Sequence, residues 1–176
     1  MLIAFRPFLP LLPLGLMLVS AAAPMPIEML GSDATACRAG RGPAIQVNVA
    51  GLKDRQGEMW LELYPASEDD FLRDDTALVA EGKTFRRTRA APPASGDFAM
   101  CVSVPRPGRY ALLLRHNRTG KDKFSIWSDG VGFPGAGTIG RSRPKFAQAV
   151  VDAGSGVTVS TIRLQYLRGL RGFQPL

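Results

Sequence analysis

Residues Arg115 to Ala149, RHNRTGKDKFSIWSDGVGFPGAGTIGRSRPKFAQA, concentrate the side chains that can do chemistry. They hold His116, the only histidine of the 176-residue chain, followed by Asn117, Thr119, Asp122 and Asp129. A strand-end histidine with oxygen ligands behind it is a candidate metal centre. Calcium loops, however, set acidic or amide oxygens at alternate positions so that a tight coil of backbone wraps the ion. Here Arg118, Lys121 and Lys123 intervene, and Asp122 is the one acid of that stretch. A hard cation would meet uncompensated positive charge. Zinc wants three or four nitrogen and sulfur ligands, and one histidine with two otherwise engaged cysteines does not supply them. No metal and no other cofactor is expected.

The same histidine can act as a base, with Ser125 or Ser128 as nucleophile and Asp122 or Asp129 to orient it. Neither serine stands in a Gly-x-Ser-x-Gly elbow. A lone strand-end histidine is more often a hydrogen-bonding part of the structure. The acids Asp69-Asp70 and Asp74-Asp75 are sequence neighbours, so their side chains need not face one another as a glycosidase pair must. Trp127, Phe133 and Phe146, interleaved with Arg141, Arg143 and Lys145, describe instead a shallow surface for a sugar or an acidic ligand. Their competing use is to plug the loop onto the body of the domain, because an ordered loop must offset its ordering entropy. A connection of this length is uncommon in a compact β-domain without a function. Its four aromatic residues, Phe124 among them, mark it as ordered.

The elements that must position these groups read as short strands. Ile45, Val47 and Val49 alternate with polar residues, and Met59, Leu61 and Leu63 alternate with Trp60, Glu62 and Tyr64. Between them Lys53–Gly57 reads as a hairpin turn. Ser67 to Asp75 reads as a helical turn capped by Ser67. The basic run Phe85–Ala90 reads as an edge strand that charge keeps from unwanted pairing. Phe98–Val104 is a further strand. Arg109–His116, apolar on both faces through Tyr110, Leu112 and Leu114 and through Ala111 and Leu113, is a central one. Beyond the long loop, Lys145–Asp152 is expected to form one short helix. Val157–Tyr166 is expected as the last strand, its phase shift between Val159 and Ile162 pointing to a bulge. The fold expected is all-β, a single antiparallel sandwich of immunoglobulin-like or transthyretin-like kind with one long ordered loop carrying a short helix.

The two ends differ from this body. Arg6, the apolar stretch Leu9–Val19 and the small residues Ser20–Ala23 read as an export signal over residues 1–22. The stretch is shorter than the ~20 residues of a spanning helix, so no transmembrane span is expected after cleavage. Residues 23–43, rich in Pro, Gly and small polar residues, read as an N-terminal extension. The sandwich domain then covers 44–166 and a tail 167–176, where fraying is expected, with docking of a partner through Phe173 as the alternative. Cys37 and Cys101 are the only cysteines. In an oxidising compartment an even count favours a disulfide, closing a loop of about 63 residues at a gain of ~3–4 kcal/mol. A catalytic thiol at Cys101 is the alternative, and the core-like neighbours Met100 and Val102 favour the disulfide. The formal charge of +7 falls to about +6 without the signal. For an exported protein this suits an anionic envelope component, or another envelope protein, rather than nucleic acid.

From Ile45 to Tyr166 the chain resembles the bacterial exported family known as domain of unknown function 2141. The resemblance rests on Val49–Leu52 before the Gly57 turn, on Leu63-Tyr64, on Phe71-Leu72, and on Pro107–Ala111 leading into His116. Most specific is Ser128-Asp129-Gly130-Val131-Gly132-Phe133 followed by Gly140–Phe146 and Ala149. In that family the residues after the histidine run as alternating Asp and Asn, like an abbreviated calcium loop. Here Asn117, Thr119 and Lys121 stand in those places, which implies a lost or weakened cation affinity. No activity is implied. The functional expectation is a periplasmic or secreted, non-catalytic binding or interaction module. Its surface would comprise His116, Asp122, Trp127, Asp129, Phe133, Arg141, Arg143 and Lys145. A small hydrolase or metal-dependent enzyme centred on His116 is one alternative, and a structural accessory domain is another.

Overall fold

A computed structural model describes residues 27–135 and 137–176. The expected export signal lies outside these residues. Among these residues, eleven strands and two short helices follow in chain order. They are β1 (Glu28–Leu30), α1 (Ala34–Arg38), β2 (Ala44–Ala50), β3 (Glu58–Pro65), α2 (Asp75–Ala80), β4 (Arg86–Ala90) and β5 (Phe98–Ser103). Then come β6 (Gly108–Asn117), β7 (Gly130–Gly132), β8 (Val150–Ala153), β9 (Val157–Arg163), β10 (Gln165–Leu167) and β11 (Phe173–Pro175).

Two open sheets pack face to face. One has four strands in the order β1-β5-β2-β9; the other has seven, ordered β11-β10-β7-β6-β3-β4, with β8 beside β6. Alternation builds the core between them. Ile45 and Val47 of β2 and Met100 and Val102 of β5 meet Met59, Leu61 and Leu63 of β3 and Leu112 and Leu114 of β6. Burial of such side chains is worth about 1.5–3 kcal/mol each, so the period-two pattern decides which way every strand faces. As its two apolar faces predict, β6 is central, paired with β3 on one side and with β7 and β8 on the other. As its charge predicts, β4 is an edge.

The antiparallel expectation holds for the seven-stranded sheet and fails for the other. There β1 pairs β5 in parallel and β2 pairs β9 in parallel, so that sheet is mixed. The turn at Lys53–Gly57 is not a hairpin. It carries the chain from the small sheet to the large one, since β2 and β3 belong to different sheets. The phase shift after Val159 is not a bulge: β9 pairs β2 without a break from Val157 to Arg163, with Val159 exposed on the outer face and Ile162 in the core. Residues 157–166 are two strands, β9 in the small sheet and β10 in the large one, joined at Leu164 where the chain crosses. Asp74, not Ser67, caps the helix: its Oδ1 accepts from the Ala77 amide (3.0 Å), and α2 starts at Asp75. Only Phe146–Gln148 of the expected helix is helical, as a 3-10 turn, and Val150–Ala153 joins the sheet as β8.

Both terminal segments are built in. The extension supplies β1 and α1, which covers the outer face of the small sheet through Ala34 and Cys37 against Ala99 and Cys101. Cys37 and Cys101 form a disulfide. The tail does not fray: β11 pairs β10, and Phe173 exchanges two backbone hydrogen bonds with Gly140 (2.9 and 2.7 Å).

Candidate functional site: a cleft on the outer face of the large sheet

The long segment after β6 is not one loop. Gly130–Gly132 returns as β7 and divides it in two. The pattern Gly-Val-Gly-Phe has a packing reason. Val131 points to the outer face, with Phe133 packed beyond it. Gly130 and Gly132 point inward, where a Cβ would fall on the Tyr166 ring and on Ile162 with the Arg163 backbone.

The first half-loop, 118–129, is folded around Arg115. This guanidinium is almost fully buried. Its Nη1 donates to the Asp122 carbonyl (2.7 Å), and its Nη2 to the carbonyls of Lys121 (2.9 Å) and Lys123 (3.0 Å) and to Asp129 Oδ2 (3.0 Å). Asp129 also accepts from the backbone amides of Arg118 (3.1 Å) and Ser125 (3.0 Å). Three carbonyls and a carboxylate are the ligand set that a loop offers to a hard cation. Here the protein's own arginine fills it. The guanidinium carbon lies over the Trp60 ring, 4.6 Å from its centroid, with that of Arg89 at 3.8 Å from the same centroid.

His116 lies on the opposite face of β6, fully buried. Its Nε2 is 2.7 Å from the Gln56 carbonyl, which can only accept, so Nε2 carries the proton. Nδ1 then accepts from the Tyr166 hydroxyl (2.7 Å), whose oxygen accepts from the Lys53 amide (3.1 Å). Burial pushes the imidazole below its ordinary value and pushes the Tyr166 phenol up to about 12. Both ring nitrogens are engaged, and neither contacts Asp122, Asp129 or a serine. Among the described residues no three His, Cys, Asp or Glu side chains gather as a metal would require.

The buried histidine makes stability depend on pH. With the folded value depressed, the unfolded chain takes up the proton first as pH falls. The stabilisation is complete above pH ~6.5 and is lost below it, down to the folded value, at no more than about 1.4 kcal/mol per pH unit. Urea midpoints are expected to drop between about pH 6.5 and pH 5 in the wild type. In His116→Gln that drop should vanish, because the chain has no second histidine. An equal drop in both proteins would place the titration elsewhere.

Between the two half-loops and the sheet lies a cleft of about 650 Å³. Its floor is Leu113 of β6 and Val131 of β7, and Phe124 and Ile126 of the Arg115-clamped loop make one wall. Phe133, Ile139 and Pro144 of the second half-loop make the other, and Phe173 of the tail closes one end. The Gln165 side chain holds the second half-loop in place, accepting from the Ile139 amide (2.9 Å) and donating to the Gly137 carbonyl (2.5 Å). The phenyl rings of Phe124 and Phe173 stack at 6.1 Å across the gap. Deep in the cleft, Glu62 accepts from the Tyr64 hydroxyl (2.7 Å) and from Arg87 Nε (2.7 Å). Arg87 and Arg115 therefore line the cleft with their charges already paired. Arg141 and Arg143 line it too, exposed, and make no ion pair among the described residues.

A family model of uncharacterized proteins conserved in bacteria, domain of unknown function 2141, matches residues 47–161. The chain belongs to that family. No curated protein and no solved structure matches it. The matched span holds β7, the Arg115 loop and the second half-loop, while the tail that closes the cleft lies beyond it. Of the residues expected to form a binding surface, the fold brings Phe133, Arg141 and Arg143 to the cleft. Trp127 stands beside it on the surface. Asp122 gives only its carbonyl, Asp129 is spent on the loop, and His116 is in the core on the other side of the sheet. Lys145 is exposed at the start of the 3-10 turn, where its amide donates to Gln148 Oε1 (2.9 Å). Sequence reasoning missed Arg115, Leu113, Ile126 and Ile139, and placed Phe173 only in the tail. The one available signal was Arg115 itself, a charge at the end of a strand apolar on both faces.

Proposed function

We propose that the protein is an exported, non-catalytic binding module of the cell envelope, with the cleft as its site and a small amphipathic anion as its ligand. One observation carries this reading: an apolar cleft of about 650 Å³, walled by ordered loops, has at its edge two arginines that make no ion pair among the described residues. That volume is typical of small-molecule sites, which join an apolar lining to a few polar groups that orient the ligand. An alkyl chain fits over Leu113 and Val131. A carboxylate or phosphate head fits Arg141 and Arg143, whose planar forks bond such groups well.

The export half of the reading is supported by the disulfide, a bond rare in reducing compartments, and by the apolar residues at the chain's start. No helix among the described residues is long and apolar enough to cross a membrane. The immunoglobulin-like or transthyretin-like kind remains part of the proposal, with the mixed sheet as a departure from it. The enzyme reading centred on His116 has less support, because both ring nitrogens are occupied inside the core. The accessory-domain reading draws on the burial of Phe133 and leaves the open cleft without a role.

Calorimetric titration of the disulfide-bonded protein with dodecanoate and dodecanol, both below their aggregation limits, tests the proposal. Dodecanoate is expected to bind at one site, at least about tenfold more tightly than the alcohol, as a charge-assisted bond of about 1.4 kcal/mol or more would give. Arg141→Ser/Arg143→Ser should erase that preference, and Ile139→Trp, which fills the cleft from a loop, should weaken both ligands. Binding of neither amphiphile, or binding untouched by Ile139→Trp, would overturn the assignment.

A further inference from the structure

The mouth of the cleft is flanked by apolar side chains that the fold holds out into solvent. On one side Ile126 is 48% and Trp127 80% exposed; on the other Leu170 is 88% exposed. Neither tip is loose. The first sits on the loop clamped by Arg115, and a turn from Ser125 O to the Asp129 amide (2.9 Å) closes behind it. The second is the crest of a 3-10 turn, Gly169–Arg171, pinned by the Arg168 amide on the Gly172 carbonyl (2.8 Å). The Arg115-clamped loop presents Trp127 outward.

Charge is distributed to match. Lys121 and Lys123 flank the first tip, Arg168 and Arg171 flank the second, and Arg141 and Arg143 lie between them. Across residues 121–127, 139–145 and 168–172 the only acid is Asp122. Tryptophan and aliphatic tips at headgroup depth, with basic residues on the phosphates, are the chemistry of interfacial membrane attachment. Each Lys or Arg near an anionic surface strengthens such attachment.

We propose that this end of the molecule docks on an anionic lipid bilayer, with Ile126, Trp127 and Leu170 at headgroup level and the mouth of the cleft facing the membrane. The docking goes beyond the cleft's ligand and does not depend on it. It would place the opening where amphiphiles with acidic heads are concentrated.

The two tryptophans of the chain make the test direct. Trp60 is buried and Trp127 is on the tip, so the difference between wild type and Trp127→Phe isolates the emission of Trp127. The disulfide-bonded exported protein is mixed with phosphatidylcholine vesicles, with or without one quarter phosphatidylglycerol. With the anionic vesicles, Trp127 emission is expected to shift to the blue and the protein to co-sediment. Binding should weaken at least tenfold between about 0.05 M and about 0.5 M salt, where screening shortens from well over 10 Å to a few ångströms. Ile126→Ser/Trp127→Ser, with unchanged melting temperature, should lose at least about tenfold in affinity, since two apolar side chains no longer insert. Val159→Ser, exposed on the small sheet, should bind as the wild type does. Ile139→Trp should still co-sediment, so that the cleft and the docking surface fail separately. Absence of co-sedimentation, equal binding to both vesicles, or binding retained in Ile126→Ser/Trp127→Ser would overturn the proposal. A dimer that depends on Trp127, without vesicle binding, would assign the tips to a second copy of the chain and overturn it as well.

Discussion

Replacing Arg115 by methionine is expected to cost about 3–5 kcal/mol of stability, the usual consequence of removing one partner from a buried ion pair. Methionine can lie over Trp60 much as the arginine stem does, so the loss is of charge and donors more than of packing. What remains is the Asp129 carboxylate, with no accessible surface on its side chain and two backbone amides in place of a counter-charge. The carbonyls of Lys121, Asp122 and Lys123 lose their donor at the same time. Urea unfolding measures the cost. Trypsin is expected to cut at Lys121 and Lys123 in the variant while the rest of the domain stays folded. Neutralising the other partner as well, in Arg115→Met/Asp129→Asn, should recover part of the stability but not the protease resistance. The carbonyls are still without their donor. Dodecanoate affinity should fall in both variants, because Phe124 and Ile126 form the wall that Arg115 holds. A change below about 1 kcal/mol, in the range of an exposed pair, would show that the guanidinium does not organise the loop.

Loss of the Cys37–Cys101 bond is the second large effect. The cysteines are 64 residues apart in sequence, and in the chain-entropy model a loop of that length contributes about 4 kcal/mol. Set against a typical domain stability of about 5–15 kcal/mol, this is a large fraction. The bond joins α1 to β5, and with it β1, so reduction is expected to free the N-terminal segment from the small sheet. Cys37→Ala/Cys101→Ala should unfold at a lower urea concentration by the same amount as the reduced wild type. Hydrogen exchange should show early loss of protection in residues 28–38. Equal midpoints for the oxidised and reduced proteins would mean that the packing of Ala34 and Met29 alone holds the segment.

The disulfide was legible from the two cysteines alone, whereas the role of Arg115 sits where local patterns are least readable. The strands facing the main core were legible because burial on one side enforces a period of two, as in Ile45, Val47 and Val49 or Met59, Leu61 and Leu63. The face of β6 that carries Ala111 and Leu113 was legible as a second apolar side. The sheet crossings were not. A turn rich in Lys, Asp and Gly suits a hairpin and a crossing equally, and only the partners of β2 and β3 distinguish the two. The 3-10 turn and β8 were misread as one helix because Phe146, Ala149 and Val150 have helical spacing, whereas pairing with β6 imposes the extended form on Val150. In the site, the aromatic and basic residues of the second half-loop were visible as types, and Phe133, Arg141 and Arg143 do line the cleft. His116 drew attention as a lone titratable group. Its chemistry in the fold is a pair of hydrogen bonds. Arg115, one residue earlier, organises the loop, and its role depends on carbonyl directions that side-chain types do not encode.

The central claim is that the cleft over Leu113 and Val131 takes an amphipathic anion. Methyl-resolved nuclear magnetic resonance on the disulfide-bonded protein, titrated with dodecanoate, tests it most directly. Shifts are expected to be confined to the methyl groups of Leu113, Ile126, Val131 and Ile139, saturating together, with Ile45, Val47 and Ile162 of the core unmoved. Shifts spread over the core or the small sheet, or none in these four residues at saturating dodecanoate, would contradict it.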